Sequence, residues 1–343
     1  MAAGYTTSLL VNAQAKLAKR FESPEFKHEP YNLIRLMNLR GQNMFIDTEI
    51  NRLKTSDSRT VESFVFQKRS ITSGSARAHN HTLAAFGDSQ KVTLSFSIIS
   101  GNYGTSLKMG GRNVFTASEI LAADLNSALI ANNNTHEAAI ASYLSSNKTQ
   151  SNSASGSYGT FGEWDGTAYV WKIPATEKDY MFQYISEIMA INDYDVELDI
   201  IADPVASAIA GQLAQQGQAN ATNLGWQFDN MNIVKSRRVA DSSYNATVYA
   251  IPSGTVGQVE RIPTENREGW DGKNYTYSSM IDPMTGSELA VHYYETGADN
   301  SSKGAETQDV TFEYENSKDY ALVKAPLSSA ATDSPIFKFV LVD

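Results

Sequence analysis

Residues 177–239 constrain the fold more than any other stretch of this chain. In order they read as a helix, a buried strand, an Asp-Pro step, a second helix, a polar loop and a second strand. Met181, Phe182, Ile185, Ile188 and Met189 recur at helical spacing and predict a helix over 177–192. Thr176 can cap its start, and Glu177 and Asp179 suit the positive end of its dipole. A strand over 195–202 then runs into Asp203-Pro204. Asp203 can cap the next helix and Pro204 can open it, because the first helical position needs no amide donor. Ala206, Ala208, Ile209, Ala210, Leu213 and Ala214 give that helix a small apolar face, and Gly217 ends it. A strand over 231–235 closes a compact α/β unit.

The flanks are of another kind. Downstream the pattern is β: 246–262, then 310–315, 319–325 and 336–342, the last apolar on both faces and so internal. Residues 263–309 read as irregular, with turn signals at Asp271-Gly272, Asp282-Pro283 and Thr285-Gly286. Upstream, a short strand over 168–173 follows a Ser/Gly-rich loop at 145–166. Residues 117–146 form the strongest helical stretch, opened by a capping box of Thr116 and Glu119. Asn132, Asn133 and Asn134 are poor helix formers and predict a kink within it.

Residues 60–99 read as a long hairpin. Phe64 and Phe66 share one face of the first leg, and Val92, Leu94, Phe96 and Ile98 share one face of the second. The polar tip between the legs is longer than a compact enzyme ordinarily carries. Residues 7–21 predict an amphipathic helix with Leu10, Ala13, Leu17 and Phe21 on its stripe. The stretch after it, broken by Pro24 and Pro30, reads either as an arm packing on another molecule or as a terminal segment folded on its own domain.

Composition narrows the function classes. Charged residues are only 19%, with Ser, Thr and Asn filling the gap, which suits extensive protein contact. A net charge of −10 argues against a basic grip on nucleic acid. There is no cysteine, which removes disulfides and thiolate chemistry. No apolar run is long enough for a membrane span. The N-terminus lacks the basic start and apolar core of a signal peptide, and its Met1-Ala2-Ala3 opening suggests no long prosegment. Asn-x-Ser/Thr triplets, at Asn133, Asn147, Asn220 and Asn245 among others, read as surface loops in so polar a chain.

Reactive constellations are weak. His79 and His81 would share a strand face and could hold a metal, but no third ligand is evident apart from Asp88, so a structural role is favoured. Asp193, Asp195, Glu197 and Asp199 alternate. They read best as an exposed acidic strand edge rather than as an acid–base pair or a calcium loop. No GxSxG, HExxH or phosphate-loop pattern occurs, so no catalytic, metal or cofactor residues are assigned. Lys235, Arg237 and Arg238 form a local basic cluster, either a solvated strand end or one side of an intersubunit ion pair.

The order of these pieces resembles the HK97-type major capsid proteins of tailed bacteriophages. Ile200-Ile201-Ala202-Asp203-Pro204 and Ile233-Val234-Lys235-Ser236 correspond to the strand endings of that family's central domain, and the 60–99 hairpin corresponds to its extended loop. The resemblance implies an α+β capsid fold: an N-terminal arm (1–58), an extended hairpin loop (59–100), a P-domain with a spine helix (101–175 and 300–343) and an A-domain (176–299). It implies a structural protein rather than an enzyme. Copies would assemble as pentamers and hexamers into an icosahedral shell around double-stranded DNA, without sequence-specific binding and without a membrane. The partners would be the chain itself, a portal, and decoration or scaffold proteins. The location would be the virion capsid, assembled in the host cytoplasm. Leu10, Phe21, Phe64, Phe66, Phe96, Arg237 and Arg238 are the expected self-assembly contacts. The Lys–Asn crosslink of some members is not carried over, since no pair here identifies it. Two other classes remain open at this level. One is a secreted or virion-surface β-rich adhesin, with Tyr- and Trp-rich loops at 158–171 and 270–277 holding carbohydrate. The other is a hydrolase using the carboxylates at 193–199, which would need a cleft and raised pKa values.

Overall fold

A computed structural model describes residues 2–22, 31–45, 47–66, 89–106, 116–150, 162–192, 194, 196–217, 230–269, 271–272, 275–296, 311–325 and 334–343. Two six-stranded sheets and one hairpin organise these described residues. The central sheet has the order β4 (Glu163–Asp165), β5 (Val170–Pro174), β14 (Phe337–Val342), β8 (Ala246–Pro252), β6 (Leu198–Ala202) and β7 (Met231–Lys235). The last strand of the chain thus lies inside this sheet, parallel to β5 and antiparallel to β8, as its two apolar faces require.

Alternation along these strands sends successive side chains to opposite layers. Ile200, Ala202, Val248, Ala250, Phe337, Phe339 and Leu341 face helices α5 (Met181–Ile191) and α6 (Pro204–Gly217). Ile201, Tyr249 and Ile251 face the other way, onto α2 (Asn32–Met44) and the end of α4 (Ala117–Ser146). The Asp-Pro step works as read. Asp203 is buried, its Oδ1 accepts from the Ala206 amide at 2.7 Å, and its Oδ2 accepts from the Thr247 amide at 2.8 Å. One carboxylate therefore caps α6 and anchors β8.

The outer sheet runs β10 (Asp271–Gly272), β11 (Tyr275–Ile281), β12 (Glu288–Thr296), β13 (Thr311–Lys324) and β3 (Ser97–Ser106), with β9 (Val256–Arg261) also on β13. One face carries Tyr103, Val291, Tyr293, Phe312 and Tyr314 and packs on α1 (Ala2–Glu22) and the first half of α4. Burial pushes the Tyr103 hydroxyl pKa up, and that hydroxyl donates to Asn316 Oδ1 at 2.8 Å. Helix α2 lies directly on β9. A Cβ on Gly41 would sit 1.8 Å from the Gln258 carbonyl oxygen, and one on Gly257 would sit 2.4 Å from the Gly41 nitrogen, so only glycine permits this approach.

Several sequence expectations are corrected. Helix α4 is continuous from Ala117 to Ser146, opened by the Thr116–Glu119 capping box and without a break at the asparagines. Asn132 and Asn133 are buried, and Asn133 donates to Asp282 Oδ2 at 2.7 Å, which offsets their weak helix propensity. Burial also removes Asn133 from the surface-loop triplets. Residues 275–296 are a hairpin, not irregular chain. Its turn is built by Asp282, whose carboxylate takes the Met284 amide and the Thr285 hydroxyl, with Gly286 at φ +76°. The strands expected at 310–315 and 319–325 are one strand, Thr311–Lys324, because Asn316 and Lys318 find buried partners in place of a turn. Phe96 falls between β2 (Ser89–Ser95) and β3, so alternation resets there: Phe96 and Ile99 are buried while Ile98 is exposed. The sheets also divide the chain elsewhere than the sequence segments do. Residues 337–342 belong with 163–252, whereas 256–296 belong with 97–106 and 311–324.

Candidate functional site

In a fold with this much internal sheet, the candidate functional parts are what projects and what is left uncovered. The projection is a hairpin of β1 (Thr60–Phe66) and β2, paired from Thr60↔Ser95 to Phe66↔Ser89 and, among the described residues, with no other strand. Val61, Ser63 and Leu94 turn inward onto α3 (Asp47–Thr55), while Phe64 is 67% exposed.

Arginines hold the base of this hairpin. The Phe96 amide donates to the Arg59 carbonyl at 2.8 Å, closing the ladder. The Arg261 guanidinium lies 3.8 Å from the Phe96 ring centroid and donates to the Ser56 carbonyl and to Asp319 Oδ2. Arg267 donates to the Lys54 carbonyl at 3.0 Å and to Asp57 at 2.9 Å. Glu49 accepts from Ser63 and from Arg52, and the hydrogen bond from Arg52 holds its carboxyl below the usual range. These contacts fix the direction in which the hairpin leaves the body.

A polar seam joins the two sheets beneath α2 and α4. Arg40 clamps Asp199 with two bonds of 2.7 Å, and Asn232 adds a third donor at 3.0 Å. His136 Nε2 lies 2.9 Å from Gln258 Oε1, and Gln258 donates onward to Asn38 Oδ1 at 2.8 Å. Lys318, 1% exposed, pairs with Glu260 at 2.7 Å. Burial, and then the Lys318 charge, lower the His136 pKa to about 3, so the ring stays neutral. Of these partners the sequence marked only Asp199, and that as an exposed acidic edge. A lone Arg40 and Lys318 set in apolar patterns were the only other signal.

The remaining face of the outer sheet is open. Tyr277, His292 and Glu315 form one cross-strand row, and Tyr294 and Glu313 form the next. The Tyr277 and His292 rings stack at 4.8 Å and 8°, and the Tyr294 hydroxyl donates to Glu313. At the far corner Ile281 is 70% exposed. Two clefts, of about 500 and 730 Å³, flank α7 (Thr264–Glu268). Arg261 and Arg267 line both, beside Gln258, Glu260 and Glu288 in the first and Asp57, Glu265, Glu268 and Asp319 in the second.

The expected contact residues separate. Leu10 and Phe96 are buried in their own chain, against the outer-sheet core and under Arg261, and have no surface to offer a neighbour. The α1 stripe of Leu10, Ala13 and Leu17 accordingly covers this chain's own sheet, and in the stretch after it Leu33, Ile34, Leu36 and Met37 are buried on this chain as well, while 23–30 lie outside the described residues. Phe64 is exposed as expected. Phe21 and Phe66 lie on described backbone, but their side chains fall outside the described residues, as do His79, His81, Asp88, Asp193 and Asp195. Arg237 is exposed and Arg238 half-buried in a short 3-10 turn capped by Ser236. The acidic edge is not an edge. β6 is internal, and Asp199 is locked by its three donors, which removes it from acid–base work.

The sequence matches no family model and no curated protein. Its structure does have likenesses. The capsid of Ralstonia phage GP4 superimposes with a TM-score of 0.50 at 10% identity, over 92% of this chain and 92% of that one. This chain has that capsid's fold. Mycobacterium phage Che8 gives a TM-score of 0.49 at 12% identity over 88% and 90%, and the capsid asymmetric unit of cyanophage Pam1 gives 0.46 at 9% over 92% and 93%.

Proposed function

We propose that this chain is the major capsid protein of a tailed phage, a structural subunit that assembles with copies of itself into an icosahedral shell around double-stranded DNA. The observation that carries this is the shared fold with the GP4 capsid over 92% of each chain. The clamped hairpin adds to it, because its exposed Phe64 gains stability when a second surface covers it. In this reading the hairpin is the extended loop. The outer sheet with α4 is the P-domain, now including 256–296, and the central sheet is the A-domain, now including 337–342. Pentamers and hexamers form through the central domain, with Arg237 at an intersubunit ion pair. A portal and scaffold or decoration proteins complete the particle, which forms in the host cytoplasm. The role is architectural, and no residue is assigned to catalysis. An adhesin finds no support: Trp171 is buried against the core and tilted against Trp164 at 6.4 Å, so it offers no open aromatic platform, and 158–161 lie outside the described residues.

The test is negative-stain electron microscopy of the purified chain together with its elution volume. Shells, tubes or capsomer rings are the expected products. A chain that stays monomeric at high concentration and under crowding salt would overturn the proposal.

A further inference from the structure

Charge is divided unevenly along this chain. Residues 1–99 hold thirteen Lys and Arg against eight Asp and Glu, whereas residues 100–343 hold fifteen against thirty. The segment between the hairpin legs, 67–88, holds Lys68, Arg69 and Arg77 against Asp88 alone. Two acidic bodies brought side by side repel each other, and a basic segment reaching from one to the other relieves that repulsion.

The open face of the outer sheet has the complementary chemistry. Glu313 is exposed, and the Glu315 side chain is 42% exposed. Both stand on β13, which is held by strands on either side, so their positions are set before any partner arrives. Tyr277, His292 and Tyr294 flank them with aromatic surface suited to the aliphatic stems and planar heads of Lys and Arg. The other face of the same sheet is covered by α1 and α4.

We propose that this acidic aromatic face is the seat for the basic hairpin segment of a second copy, making the contact between copies ionic at Glu313 and Glu315. The proposal rests on the capsid reading and adds the chemistry of one of its contacts. It also supplies a reason for the clamp at the hairpin base. The described first leg alone, six steps from Thr60 to Phe66 at about 3.4 Å each, is about 20 Å long, and an ionic contact made beyond it needs a fixed direction at its base.

The test uses the full chain in four samples: wild type, Glu313→Lys/Glu315→Lys, Lys68→Glu/Arg69→Glu/Arg77→Glu, and an equal mixture of the two variants. Assembled fraction is read by sedimentation and negative stain in 0.1 M NaCl, and thermal midpoints are read alongside. Each variant alone is expected to assemble at least tenfold less than wild type with an unchanged midpoint, and the mixture to recover assembly, because each supplies what the other lacks. Glu313→Gln/Glu315→Gln, which adds no repulsion, is expected to fall between wild type and the Lys variant and serves if the reversal disturbs folding. Raising NaCl to 1 M shortens the screening length from about 10 Å to about 3 Å and should reduce wild-type assembly. Wild-type levels of assembly in either variant, or a mixture no better than its parts, would overturn the ionic seat and leave the capsid reading standing. A wild-type chain that never assembles overturns both.

Discussion

The two sheets of this protein are built on opposite plans. The central sheet is covered on both faces, by α5 and α6 on one side and by α2 and α4 on the other. Its strands are accordingly apolar along their whole length, as in β8, buried at every position. The outer sheet is closed the same way where β9 meets β13, but around β12 and the first half of β13 the described residues cover one face only, and β13 there alternates buried Phe312, Tyr314 and Asn316 with exposed or half-buried Glu313, Glu315 and Ser317. The first plan concentrates stability, and the second leaves a surface free for another molecule. Helix α4 spans both, apolar where it meets each sheet and polar where it crosses between them.

Substitutions should separate the two plans by size of effect. Phe339→Ala empties a fully buried site in the closed sheet and should cost about 3–5 kcal/mol, read by urea unfolding. A loss under 1 kcal/mol would mean that the central sheet is not the stable unit. Arg40→Ala tests the seam. It leaves Asp199, 2% exposed, with only Asn232 as donor and should cost about 3 kcal/mol; co-substitution of Asp199→Asn should return most of it.

His136 gives the seam a pH dependence of known sign. Its folded pKa, about 3, lies below the ordinary 6.5, so the unfolded chain binds the proton first. Stability from this group is full above pH 6.5 and is lost as pH falls from there toward 3. Between pH 6.5 and 5, before most carboxylates titrate, the loss should be about 2 kcal/mol. His136→Gln should flatten that segment of a stability-against-pH curve, and an unchanged slope would place the titrating group elsewhere. The smallest effect belongs to the open face. Glu313→Gln should change unfolding stability by less than about 0.5 kcal/mol, and a larger loss would show that the face is part of the core after all.

Legibility followed the same division. The unit over 177–239 was readable almost to its ends, since its stripes, cap and Pro-Gly punctuation are local signals, and the structure places α5, β6, α6 and β7 inside it. The hairpin over 275–296 was missed although its turn residues were noticed, because Ser278 and Ser279 interrupt the apolar alternation that identifies a strand. The kink at Asn132–Asn134 was expected from propensity and overridden by Asp282, far away in sequence. Among the expected contacts, Phe64 kept its exposure, while Leu10 and Phe96 lost theirs to this chain's own helices and to Arg261.

What the sequence determined by itself is the inventory of elements and the charge of each segment, because periodicity, caps and turn residues act within a few positions of one another. Which strands pair was decided only by the tertiary structure. β14 enters the sheet of β5 and β8, β9 leaves β8 for β13, and Phe96 marks where one strand passes from the hairpin to the outer sheet. The physical reason is that burial is a property of two surfaces. Whether an apolar stripe becomes core or contact depends on what comes to lie over it, and neither strand carries that information alone.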